Sequence, residues 1–73
     1  MSNGSPSFYK IYIEGLLDDG WAEWFGDMLL TPLPGQPART EISGYIVDQA
    51  ALHGILNRIR DLSLRLIAVE RAA

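Results

Sequence analysis

His53 is the single histidine of a chain that contains no cysteine. A lone imidazole can act as a proton carrier or a ligand near neutral pH. Its helical phase places it beside Asn57, at the flank of an apolar stripe, and spacing ties no nucleophile or carboxylate to it. It therefore reads as a partly exposed structural residue. Asp19, Glu23 and Asp27 recur at every fourth position, and Asp18 adds a further carboxylate. Hard cations favour such oxygens, but Gly26 interrupts the run and the spacing is not that of a calcium loop. A solvated acidic face is expected there. Arg58, Arg60 and Arg65 could hold an anion; paired surface charges are the simpler reading. The glycines of "GLLDDG" and "PLPGQP" do not form a phosphate-cradling loop, and no nucleophile elbow, Walker motif or zinc pattern is present. The expectation is therefore no enzyme, with no catalytic, cofactor-binding or metal-binding residues.

The densest cluster of unusual residues is "WAEWF", where Trp21, Trp24 and Phe25 stand at i, i+3 and i+4. Such rings could stack on a ligand. The same spacing puts all three on one face of an α-helix, and each ring buries about 150–250 Å². The expectation is a short helix whose aromatic stripe belongs to the core.

A chain of 73 residues forms one domain with a small core. Domains of this size commonly gain stability from disulfides, metals or oligomerisation. With no cysteine, oligomerisation is the expected aid. The net charge of −3 argues against nucleic-acid binding, which rests on neutralising phosphates, and against attachment to anionic membranes. Acids outnumber bases six to two over residues 1–41, and bases outnumber acids four to three over residues 42–73. The start, "MSNGSPS", lacks the basic and apolar stretches of a signal peptide. Residues 1–7 are expected to be a flexible tail before a single domain over 8–73 in a soluble, cytoplasmic protein. No apolar run approaches the ~20 residues of a membrane helix.

The elements that must position these residues follow from periodicity. "FYKIYIEG" alternates with period two and predicts a strand. Asp18 and Asp19 can cap a two-turn helix that Gly26 ends. "MLLTPL" predicts a second strand, and Pro32 assigns it to a sheet edge. "RTEISGYIV" predicts a third strand. Asp48 then caps a long helix with Ala51, Leu52, Ile55, Leu56, Ile59 and Leu62 as its apolar stripe. "LRLIAVER" predicts a fourth strand. The order β-α-β-β-α-β predicts an α+β fold: a ferredoxin-like sandwich, with a four-stranded antiparallel sheet and two helices on one face.

The other face of that sheet is the candidate functional surface. With Tyr9, Ile11 and Ile13 turned to the helices, Phe8 and Tyr12 face outward. With Ile42, Gly44 and Ile46 inward, Glu41, Ser43, Tyr45 and Val47 face outward. The fourth strand is apolar in both phases, as is the second. The uncovered face is thus expected to carry Phe8, Tyr12, Tyr45, Ile67 and Val69, with Leu29 beside them. An uncovered face is ordinarily polar, and an apolar one marks an interaction site. Packing against a second copy, to give a symmetric homodimer, is the expected use; an unknown protein partner is the other. A small-molecule-binding or regulatory domain is the alternative function. Tyr12 and Tyr45 also occupy the strands on which RNA-recognition folds stack bases, but the aromatic-glycine signature of the third strand is missing and the chain is acidic.

"W-A-E-W-F" followed by "D-Q-A-A-L-H-G-I-L-x-R-I-R-D-L-x-L" resembles a family of short bacterial proteins of uncharacterised function. The likeness spans residues 9 to 69 and is most specific over Asp48 to Leu64. It departs from that pattern over the proline-rich stretch from Pro32 to Pro37. It implies a bacterial cytoplasmic protein with the βαββαβ fold, and it carries over no catalytic residue.

Overall fold

A computed structural model describes residues 6–17, 19–26 and 28–72. The strands are β1 (Ser7–Glu14), β2 (Leu29–Leu33), β3 (Arg39–Ile46) and β4 (Leu66–Arg71). They form one sheet in the order β2-β3-β1-β4, with every neighbouring pair antiparallel. One α-helix, α1 (Gln49–Asp61), lies between β3 and β4 in the chain. It packs against β3 and against a 3₁₀ segment, Asp19–Phe25.

The fold is α+β, but the expected second α-helix is replaced by that 3₁₀ segment. The two-helix sandwich is therefore corrected to a sheet covered by one α-helix and one 3₁₀ segment. The connection from β1 to β2 must pass β3, which lies between them in the sheet. A 3₁₀ helix rises about 2.0 Å per residue against about 1.5 Å in an α-helix, so a few residues reach further. Gly20 and Gly26 bracket the aromatic residues and weaken α-helix propagation. The change redistributes the rings. At about 3.0 residues per turn, Trp21 and Trp24 lie above one another and Phe25 is turned by a third of a turn. Phe25 is buried, Trp21 is half-buried against the core, and Trp24 is 49% exposed. The two indoles tilt together with ring centroids 6.2 Å apart. The expectation that all three rings are core is thus corrected for Trp24. Asp18 and Asp27 lie outside the described residues, as does the side chain of Asp19, so the proposed cap and acidic series are not placed.

The α-helix has the cap expected for it. The Asp48 carboxylate accepts a hydrogen bond from the Ala51 N–H at 2.8 Å, which satisfies one of the free donors of the first turn. At the other end, Ser63 takes a left-handed conformation with φ of 60°. Its N–H donates to the Arg60 carbonyl at 2.9 Å, and the Leu64 N–H reaches back to the Ile59 carbonyl at 3.0 Å. These are the two bonds of a Schellman closure.

The core is the layer between sheet and helix. Tyr9, Ile11 and Ile13 of β1 and Ile42 and Ile46 of β3 meet Leu52 and Ile59 of α1, with Phe25 and Met28 closing the side. Gly44 stands opposite Tyr9, and Met28 occupies the space its missing side chain leaves. Thr40 is wholly buried at the end of β3. Its hydroxyl donates to the Gly15 carbonyl at 2.7 Å and accepts from the Leu17 N–H at 3.1 Å. This side chain ties down the exit from β1 together with the Gly15 N–H, which donates to the Ala38 carbonyl at 2.7 Å.

Candidate functional site: the uncovered sheet face and its free edge

Residues opposed in an antiparallel pair point to the same side of a sheet, so the register places the paired side chains of the uncovered face. Phe8 lies opposite Tyr45, Lys10 opposite Ser43, Tyr12 opposite Glu41, and Glu14 opposite Arg39. On the β2 side, Leu29, Thr31 and Leu33 stand beside Ser43, Glu41 and Arg39. On the β4 side, Glu70 stands beside Lys10 and Ala68 beside Tyr12.

Phe8 and Tyr45 form an edge-to-face pair with centroids 5.1 Å apart, an arrangement the ring quadrupoles favour. Tyr45 is 72% exposed and Leu29 64% exposed. Ser43 is buried although it belongs to this face. Tyr12 is half-buried. Its phenol is held above the ordinary tyrosine value, first by its partial desolvation within the sheet and then by the Glu41 and Glu70 carboxylates. Against these, the Arg39 guanidinium favours the ionised form.

The face is mixed rather than continuously apolar. Lys10, Arg39 and Arg65 share it with Glu14, Glu41 and Glu70. Arg65 belongs to this side because its guanidinium lies 3.6 Å from Glu14. Three bases and three acids leave the face without net charge. Its large apolar groups are divided between the Phe8–Tyr45 corner and Leu29 and Leu33 on β2.

One expected residue faces the other way. The register between β1 and β4 shifts at Tyr12 and Ile13, where Tyr12 pairs with Ala68 but Ile13 pairs with Leu66. Ile67 is the extra residue of a bulge, which resets the alternation after it. Val69 consequently stands opposite Ile11, on the helix-facing side, and not with Phe8 and Tyr12. It is 37% exposed because β4 is the outer strand.

The remaining chemical candidates do not converge. His53 is exposed on α1. Arg60 lies 3.7 Å from Asp61 and Arg65 pairs with Glu14, so two of the three arginines have ordinary surface partners. Arg58 lines a shallow hollow with Glu23 and Trp24. Among the described residues, no group of three or more His, Asp or Glu side chains is placed to hold a metal ion. No helix among them is long and apolar enough to cross a membrane.

Periodicity gave no sign of a hollow of about 520 Å³ at the start of α1. It is lined by Tyr9, Ile46, Val47, Gln49 and Arg71 among others. The Gln49 amide donates to the Tyr9 hydroxyl at 3.4 Å. These residues come from β1, β3, α1 and β4, so only the pairing of three strands reveals that they meet.

No curated protein and no solved structure matches the chain at a significant level. Residues 8–70, the whole of the sheet-and-helix unit apart from its outermost residues, match the family model described as a domain of unknown function (DUF8691), and the chain belongs to that family.

Proposed function

We propose that this domain is a small non-enzymatic interaction module that binds a second copy of itself through the uncovered face of its sheet. The observation that carries the reading is the Phe8–Tyr45 corner, where an aromatic pair is built on the uncovered side and Tyr45 remains 72% exposed. Leu29, at 64% exposure, adds apolar area on the same side. The balanced charges support pairing of like with like, because a face without net charge does not repel its own copy. A cytoplasmic setting in a bacterium belongs to the same reading and is supported by the sequence pattern from Trp21 to Leu64.

The test is light scattering over a concentration series, with wild type beside Tyr45→Lys. Tyr45 is exposed, so the substitution spares the fold. Wild type is expected to reach the mass of a dimer, and Tyr45→Lys to shift toward monomer. A dimer of unchanged strength in Tyr45→Lys refutes the face as the contact.

The second reading is a small-molecule-binding or regulatory domain. The hollow beside Tyr9 and Arg71 favours it, since about 520 Å³ falls within the range of ligand sites. A thermal-shift screen in which Arg71→Ala abolishes a ligand's stabilising effect would select this reading.

A further inference from the structure

The two edges of the sheet are unlike. Edge β2 contains Pro32, which cannot donate to a further strand. Edge β4 contains no proline and, among the described residues, pairs only with β1. Of the large apolar residues left exposed among the described residues, Leu66, Ile67 and Val69 lie on this strand. Its outward backbone groups follow from the bonds at its ends. The Arg65 carbonyl accepts from the Glu14 N–H at 2.8 Å, and the Ala72 N–H donates to the Phe8 carbonyl at 2.7 Å. Alternation from both ends turns the N–H and C=O groups of Leu66 and Val69 away from β1.

We propose that β4 pairs antiparallel with β4 of a second copy, joining two sheets into one of eight strands. The two-fold axis passes between Ile67 and Ala68. In that register Leu66 meets Val69 of the copy, Ile67 meets Ala68, and Arg65 meets Glu70, each twice by symmetry. The bulge makes this match consistent. Leu66 lies opposite Ile13 and Val69 opposite Ile11, so both face the helix side. Glu70 lies beside Lys10, and Arg65 beside Glu14, so both face the uncovered side. A strand without the bulge would put Leu66 and Val69 on opposite sides, and this register would fail. Apolar thus faces apolar and base faces acid, while Leu66 and Val69 present their backbone groups to one another. Centring the axis on Glu70 would instead set that carboxylate against its own copy. The pairing uses the strand's edge and goes beyond the face-to-face contact, on which it does not depend.

The test is a charge exchange. In Glu70→Arg each Arg65 would meet a second guanidinium across the seam, and in Arg65→Glu each Glu70 would meet a second carboxylate. Each variant alone is expected to weaken self-association about tenfold, as two exposed pairs turn from attraction to repulsion. An equimolar mixture of the two variants brings opposite charges together again at both positions and is expected to recover the wild-type affinity as a mixed pair. A folding defect would not be repaired by mixing. Amide exchange then identifies the edge itself. The Val69 N–H should become protected as concentration rises, whereas contact through the uncovered face leaves it free. A wild type that stays monomeric, variants that associate as strongly as wild type, a mixture no tighter than its components, or a Val69 amide that exchanges freely in the dimer overturns the proposal. A wild-type dimer lost in Tyr45→Lys but kept in both charge variants selects the face over the edge.

Discussion

Thr40→Val should destabilise this domain more than any change of equal size on its surface. The two side chains have nearly the same shape, so packing is kept and only the hydroxyl is lost. That hydroxyl bridges the Gly15 carbonyl at 2.7 Å and the Leu17 N–H at 3.1 Å, from a residue with no exposed surface. Each backbone group left unpaired in such a place costs about 1–3 kcal/mol. Both groups lie near the surface of the β1 exit, where water can reach part of them, so a total of about 2–4 kcal/mol follows from the same range. A chain of this length has about 4–11 kcal/mol of stability in all. The loss should lower the melting temperature by roughly 8–32 °C, at about 4–8 °C per kcal/mol for a domain this small. Thr40→Ser is the control. It keeps both bonds and removes one buried methyl, at about 1 kcal/mol. Urea melts followed by tryptophan fluorescence and circular dichroism give both values. If valine costs less than serine, the hydroxyl bridge is not what holds the exit of β1, and the reasoning fails.

Tyr12 supplies a pH prediction. Its raised pKa means that the folded state favours the neutral phenol over the unfolded state, so the contribution to stability is complete below the ordinary value near 10 and is lost as pH rises through the raised value. The difference titration at 295 nm between wild type and Tyr12→Phe should show a phenol ionising above 10, and Glu41→Gln should move it down; an unmoved titration in Glu41→Gln contradicts the assigned cause. Gly44→Ala should cost about 1–3 kcal/mol, because the added carbon would sit 2.8 Å from the Met28 sulfur. In a Met28→Ala background that cost should shrink, and an unchanged cost in a double-mutant cycle denies the contact. Ser63→Gly should raise stability by roughly 0.5–1 kcal/mol, since glycine takes the left-handed conformation at φ of 60° without strain; a lower melting temperature would refute it.

The strand sets were legible wherever one phase was polar. Tyr9, Ile11 and Ile13 alternate with Lys10 and Glu14, so only one register buries the aliphatics, and that is the register observed. Asp48 was legible as a cap because a carboxylate before an apolar stripe has one strong use. The segment from Asp19 to Phe25 was not, since the spacing i, i+3, i+4 suits an α-helix and does not exclude a 3₁₀ turn. What decides between them is the span from β1 to β2, which no local pattern contains. The bulge at Ile67 was hidden for a related reason. "LRLIAVER" is apolar in both phases, so sequence periodicity has nothing with which to fix its alternation.

That bulge also governs where recognition energy can come from. It moves Val69 to the helix side and brings Glu70 beside Lys10 on the uncovered face. The face therefore loses Val69 and carries Glu70, in place of Arg71, along its outer strand. Its remaining apolar groups sit at the Phe8–Tyr45 corner and along β2, separated by ionisable side chains that must be paired or hydrated when water leaves. Contact across the face has to satisfy those charges before its apolar corners contribute. Contact along β4 avoids most of that cost. There the polar groups are backbone N–H and C=O, which a second strand pairs directly, and the charged residues meet at the strand's exposed end positions. If this chain self-associates by both surfaces, the edge should form first and set the two uncovered faces side by side.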